Sequence, residues 1–162
     1  MACLSVISKL QSPIPNLPAL SNLLNHIMTF EDLKAWQQAR QLVKHIYDLT
    51  RQNQLAKDFG LSGQIQRAGV SIMSNVAEGF ERIHLPEKLQ AYNVARGSSA
   101  EVRSLLYVIE DNFPGSATSA VQLRAEAVAV GRLVTGLIQS TQSRRTKLTS
   151  LLSSIFHLLS PM

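Results

Sequence analysis

Four successive segments of the chain carry apolar residues every three or four positions, and each is closed off by residues that break helices. That period places the apolar side chains on one face of a helix, whereas a half-buried strand would alternate every second residue. No strand alternation and no fixed-period internal repeat is visible. A chain of four amphipathic helices can bury its stripes only by packing helix against helix. The pattern therefore predicts an all-α protein, a bundle of four helices.

The first helix is predicted from near Thr29 to about Arg51, with Thr29 as the cap and Glu31 and Asp32 in the first turn. Its stripe is Leu33, Trp36, Val43, Ile46 and Leu49, with Ala39 and Leu42 filling in. Gln52 to Gly60 reads as a polar connection. The second helix, from about Leu61 to Phe80, carries Leu61, Ile65, Ala68, Ile72, Val76 and Phe80 on one line. Gly63, Gly69 and Gly79 weaken it by about 1 kcal/mol each against alanine, so close packing against a neighbour is expected to compensate. Leu85-Pro86-Glu87 opens the third helix, since proline needs no partner for an N–H in the first turn. Leu89, Tyr92, Ala95, Ser99, Val102, Leu106 and Ile109 form its seam, and Phe113-Pro114-Gly115 stops it. The fourth helix is expected from Thr118 or Ser119 to about Gln139, with Leu123, Ala127, Val130, Val134 and Leu137 facing inward. Val121, Val128 and Ile138 widen its apolar arc, as burial on more than one side in an oligomer would require.

The two ends read differently. In residues 1–27, Pro13, Pro15 and Pro18 interrupt any helix, and the segment is expected to be a flexible extension. It lacks the early positive charge and apolar run of a signal peptide. Met28, just before the first helix, is the expected initiator, which mass spectrometry of the native N-terminus checks. Residues 28–140 form the predicted bundle domain, and 141–162 a basic linker with a short amphipathic tail. In that tail Leu148, Leu151, Leu152, Ile155, Phe156, Leu158 and Leu159 alternate with polar residues. Docking on the bundle and binding a partner are open to it, with membrane contact the weakest reading. A single cysteine, Cys3, rules out a disulfide framework and fits a reducing cytoplasm. No run of 18 apolar residues exists, so no transmembrane helix is expected.

The chain is thinly charged, at 17% against roughly 25% for soluble domains, yet its net charge is +5. Basic and acidic side chains balance over residues 28–126. Residues 127–162 hold Arg132, Arg144, Arg145 and Lys147 and no acid. Phosphate contacts are therefore expected at Arg144, Arg145 and Lys147, with Arg132 the next candidate. The bland alternative is a solvated basic linker.

Catalytic patterns are missing. The sequence has no nucleophile elbow, phosphate-cradling glycine loop or dinucleotide fingerprint. His26, His45, His84 and His157 lack metal-ligand spacing, and Glu81 with His84 supplies only one Glu-x-x-His where a di-iron bundle needs two. The expectation is a protein that is not an enzyme and carries no cofactor or metal. Gln64, Arg67, Asn75, Glu78, Arg96 and Glu101 on the second and third helices are expected to form an interhelical polar network. The sharper reading of the same residues is a polar site for a ligand or an RNA backbone.

Three blocks carry a resemblance. Leu61-Ser62-Gly63-Gln64-Ile65-Gln66-Arg67-Ala68 with Ser71-Ile72, then Asn75-Val76-Ala77-Glu78-Gly79-Phe80, then Ala95-Arg96-Gly97-Ser98-Ser99-Ala100-Glu101 resemble the 23S rRNA intervening-sequence proteins. Phe30-Glu31-Asp32-Leu33-Lys34-Ala35-Trp36 looks like that family's first-helix start. Gln54 to Asp58 and Met73 depart from its pattern. The resemblance implies an up-down antiparallel four-helix bundle assembled into a ring-shaped homopentamer. It also implies a binding or scaffolding role, with structured RNA as the leading partner. Related proteins serve as accessory subunits of diversity-generating reverse transcriptases, so the alternative is a protein-interaction module of that kind.

Overall fold

The structure, a computed structural model, describes residues 29–159, with the side chains of Asn53 and of residues 144–159 outside the description. The expected extension 1–27 and start at Met28 lie outside the described residues.

The chain enters through a 3-10 turn, Phe30–Asp32, rather than directly into an α-helix. The Thr29 amide donates to Asp32 Oδ2 at 3.0 Å, and the Phe30 ring meets Trp36 edge-on at 5.1 Å. Helix α1 follows over Lys34–Thr50, α2 over Phe59–Glu81, α3 over Leu85–Asn112 and α4 over Ala117–Leu159. All four are α-helices, and no strand occurs among the described residues. Each helix packs on its sequence neighbours, and α1 closes the ring of contacts against α4. With connections this short, that order is the up-down bundle. No helix among the described residues is long and apolar enough to cross a membrane.

The core lies along the bundle axis. Leu42, Ile46 and Leu49 from α1, Ile65, Ile72 and Val76 from α2, Val102, Leu106 and Ile109 from α3, and Val130 and Val134 from α4 are all withdrawn from water. Each such side chain contributes about 1.5–3 kcal/mol of burial. The α1 stripe is rotated from the sequence expectation. Ala35, Ala39, Leu42, Ile46 and Leu49 face inward, while Trp36 and Val43 are only half-buried. The small Ala35 and Ala39 let α1 lie close, which leaves the bulkier residues at the edge.

Gly69 and Gly79 on α2 make the close packing that their low helix propensity anticipates, whereas a Cβ on Gly63 would meet only Arg67 of the same helix. A Cβ on Gly69 would reach 2.9 Å from Ile46 Cδ1, across the α1–α2 contact. The polar connection after α1 is also more ordered than its composition predicts. Asn53–Lys57 forms a 3-10 helix that buries Leu55 completely, and Ser62 Oγ donates to the Leu55 carbonyl at 2.9 Å.

Helix α4 departs most from the sequence reading. It does not end near Gln139 in a linker but continues as helix through 140–146 to Leu159, for 43 residues. Between Gly136 and Pro161 there is no glycine or proline to stop it, and Gln, Arg and Lys are good helix formers. At 1.5 Å per residue α4 is about 64 Å long, against about 42 Å for the 28-residue α3.

Candidate nucleic-acid interface

Arginines are sorted in this bundle by whether they have a partner. Arg82 donates to Glu78 Oε1 at 2.5 Å and to Glu87 Oε2 at 3.2 Å, and these carboxylates, Glu78 first, hold its guanidinium above the ordinary value. Arg124 pairs with Glu110 and stacks 3.9 Å over the Tyr107 ring. Arg40 lies over Trp36 and Arg51 over Tyr47. Arg96, Arg103 and Arg132 have no hydrogen-bond, ion-pair or ring partner among the described residues.

Those three arginines line one groove. It runs along the α3–α4 seam and has a volume of about 720 Å³. Arg96 and Arg103 stand two turns apart on α3, about 10 Å along the axis, and Arg132 faces them from α4. Asn93 and Gln139 add amides at the margins, and no carboxylate lines the groove. Small residues also line it, Gly97 and Ala100 from α3 and Gly131 and Gly136 from α4. Its hydroxyls are turned inward: Ser99 Oγ donates to the Ala127 carbonyl at 2.9 Å and Thr135 Oγ1 to the Gly131 carbonyl at 2.9 Å. Unpaired guanidinium groups over a surface with few competing acceptors attract anions, and phosphate suits their planar fork.

Of the phosphate contacts expected from sequence, Arg132 is in this groove. Arg144, Arg145 and Lys147 follow it on the same helix, and their side chains lie outside the described residues. The expected polar network is arranged differently from its sequence reading. Gln64 Nε2 reaches Glu101 Oε1 at 3.4 Å across α2 and α3, but at the exposed surface. Asn75 donates to the Ser71 carbonyl and hydroxyl within α2, and Ser71 Oγ meets Ser98 Oγ of α3 at 2.8 Å. Glu78 turns to Arg82 one turn along its own helix. Arg67 folds back over Gly63, and Arg96 points into the groove. No arginine of that set pairs with a carboxylate of the set among the described residues, because these side chains are exposed and nearer partners intervene.

Arg103 belongs to no sequence-stated site. Its signal was the seven-residue spacing from Arg96, which repeats a helix face, set opposite the acid-free stretch that begins after Glu126. A second seam, between α1 and α4, holds a His45 Nδ1–Glu126 Oε2 contact at 2.8 Å with Asp48 and Gln122 nearby. It carries acid on both sides and does not resemble a phosphate site.

The profile of the 23S rRNA-intervening sequence proteins matches residues 31–136, which take in all three groove arginines and most of the bundle. The chain belongs to this family. Among solved structures, a protein of unknown function from the S23 ribosomal protein family of Bacteroides thetaiotaomicron is similar, with a TM-score of 0.60 and 17% identity. The match covers 65% of this chain and 95% of that one, and at this identity it speaks for the shared fold alone. No curated protein matches the chain.

Proposed function

We propose that this family member is a non-catalytic, self-associating binding or scaffold protein of the cytoplasm, and that its partner is structured RNA held by its phosphates. The observation that carries this reading is the groove that gathers Arg96, Arg103 and Arg132, none of which has a partner among the described residues, whereas Arg82 and Arg124 are paired with carboxylates and Arg40 and Arg51 lie over aromatic rings. In sequence, helix α4 continues from Arg132 to Arg144, Arg145 and Lys147 without an acid, which adds to the positive charge of this part of the chain. One such patch binds phosphates weakly. Several copies linked in one assembly raise the effective concentration of each further contact. The family resemblance favours a homopentameric ring for that assembly, and exposed Val94, Tyr107, Val108 and Val121 on α3 and α4 supply apolar surface for self-association.

The test is binding of a structured RNA measured across salt concentration, with the mass in solution measured in parallel. Phosphate-driven affinity falls steeply between about 50 and about 200 mM salt. Light scattering is expected to give several times 17.8 kDa. Absence of RNA binding at low salt sinks the reading. Capture of a reverse transcriptase under those conditions instead supports the accessory-subunit alternative.

A further inference from the structure

Two glycines in helix interiors have nothing beside them. A Cβ built on Gly97 or on Gly136 meets no atom within 4 Å. Neither glycine is required by packing within the chain, although glycine is a poor residue for a helix interior. Gly69, Gly79 and Gly131 are different, since each abuts a side chain that a Cβ would crowd. Both Gly97 and Gly136 line the α3–α4 groove, one from each helix, with Gly97 between Arg96 and Arg103 in α3 and Gly136 one turn beyond Arg132 in α4.

We infer that Gly97 and Gly136 keep the groove floor bare so that the sugar-phosphate backbone of one RNA strand lies directly on α3 and α4, gripped by Arg96, Arg103 and Arg132. Glycine is the residue used where a ligand must approach the protein backbone closely. The guanidinium groups supply bidentate donors to phosphate oxygens. No aromatic side chain lines the groove, so it offers bases no stacking platform. Its contacts therefore go to phosphate and sugar, which position a strand without reading its sequence.

This inference rests on the RNA reading above and names where and how the strand sits. Its test is a double variant, Gly97→Leu with Gly136→Leu, which fills the floor and leaves every charge in place. Affinity for a structured RNA hairpin at low salt is expected to fall roughly tenfold, about one good phosphate contact. Melting temperature is expected to hold or rise, since leucine is the better helix former, and mass by light scattering to stay unchanged. The triple variant R96A/R103A/R132A is expected to lose binding as well and to flatten the salt dependence. If the arginine variant loses binding while the leucine variant binds like the wild type, the RNA reading stands and the glycine floor is overturned. If the wild type itself fails to bind, the RNA reading fails first. A changed oligomeric mass in the leucine variant identifies the groove as a contact between copies of the chain and also overturns the inference. Should the leucine variant not fold, Gly97→Ala with Gly136→Ala gives the same readout with a loss of a few-fold, and unchanged affinity there overturns it.

Discussion

Gly79 of α2 lies directly against the ring of Tyr92 on α3: a Cβ at position 79 would stand 2.5 Å from Tyr92 Cε1 and 3.2 Å from the Lys88 carbonyl oxygen. Tyr92 is 3% exposed, so its ring has no open space into which to swing. Gly79→Ala gains about 1 kcal/mol of helix propensity and meets overpacking of about 1–3 kcal/mol. The expected outcome is net destabilisation of up to about 2 kcal/mol, read as a lowered melting temperature by circular dichroism. Gly97→Ala meets nothing within 4 Å and is expected to raise stability by about 0.5–1 kcal/mol. The opposite signs separate a glycine held by packing from one that is not.

Burial pushes the Tyr92 phenol above its ordinary value. The folded chain therefore keeps this phenol neutral at a pH where the unfolded chain ionises it. Its contribution is fully present below about pH 10 and is lost as pH rises through the folded value. Burial pulls the Lys88 ammonium below its ordinary value, with Glu81 opposing, so its linkage runs in the other direction. The measurement is the difference between wild type and Tyr92→Phe in stability across pH 9 to 11. The variant is expected to lose less stability at the alkaline end, and parallel curves would contradict this.

Ser116 closes the 3-10 turn Pro114–Ser116 ahead of α4, is 1% exposed, and its Oγ has no hydrogen-bond partner among the described residues. A buried hydroxyl without a partner is unfavourable. Ser116→Ala is expected to be neutral or stabilising by up to about 1 kcal/mol. Chemical denaturation checks it, and a clear drop in the midpoint would count against the assignment.

Each groove arginine that contacts a phosphate releases counterions. Single variants Arg96→Ala, Arg103→Ala and Arg132→Ala are each expected to lower the slope of log affinity against log salt by about 0.7–0.9. Arg82→Ala, whose guanidinium is already held by Glu78 and Glu87, is expected to leave that slope unchanged. Fluorescence anisotropy with a labelled RNA at several salt concentrations reads both.

The helices were legible from the sequence because the signal for them is local. Ile65, Ala68, Ile72 and Val76, or Val102, Leu106 and Ile109, declare a buried face through spacing alone, and all of them are buried. Pro86 and the Phe113-Pro114-Gly115 stop placed the ends of α3 within a residue or two. The long run of α4 was less legible, since a polar composition over 140–146 reads as a linker although nothing in it breaks a helix. One of the three groove arginines was visible as a phosphate contact: Arg132 was the next candidate because no acid follows Glu126.

Local spacing determined four amphipathic helices and hence a bundle, because a helical face is set by residues three and four apart. Charge pairing was decided only in three dimensions. His45 finds Glu126 across 81 positions, Gln64 finds Glu101 across 37, and Arg124 finds Glu110 across 14. Arg96, which reads from sequence as a partner for a nearby carboxylate, instead shares a groove with Arg103 and Arg132. A carboxylate neutralises an arginine only within a few ångströms, and that distance is set by how the helices rotate and pack against one another.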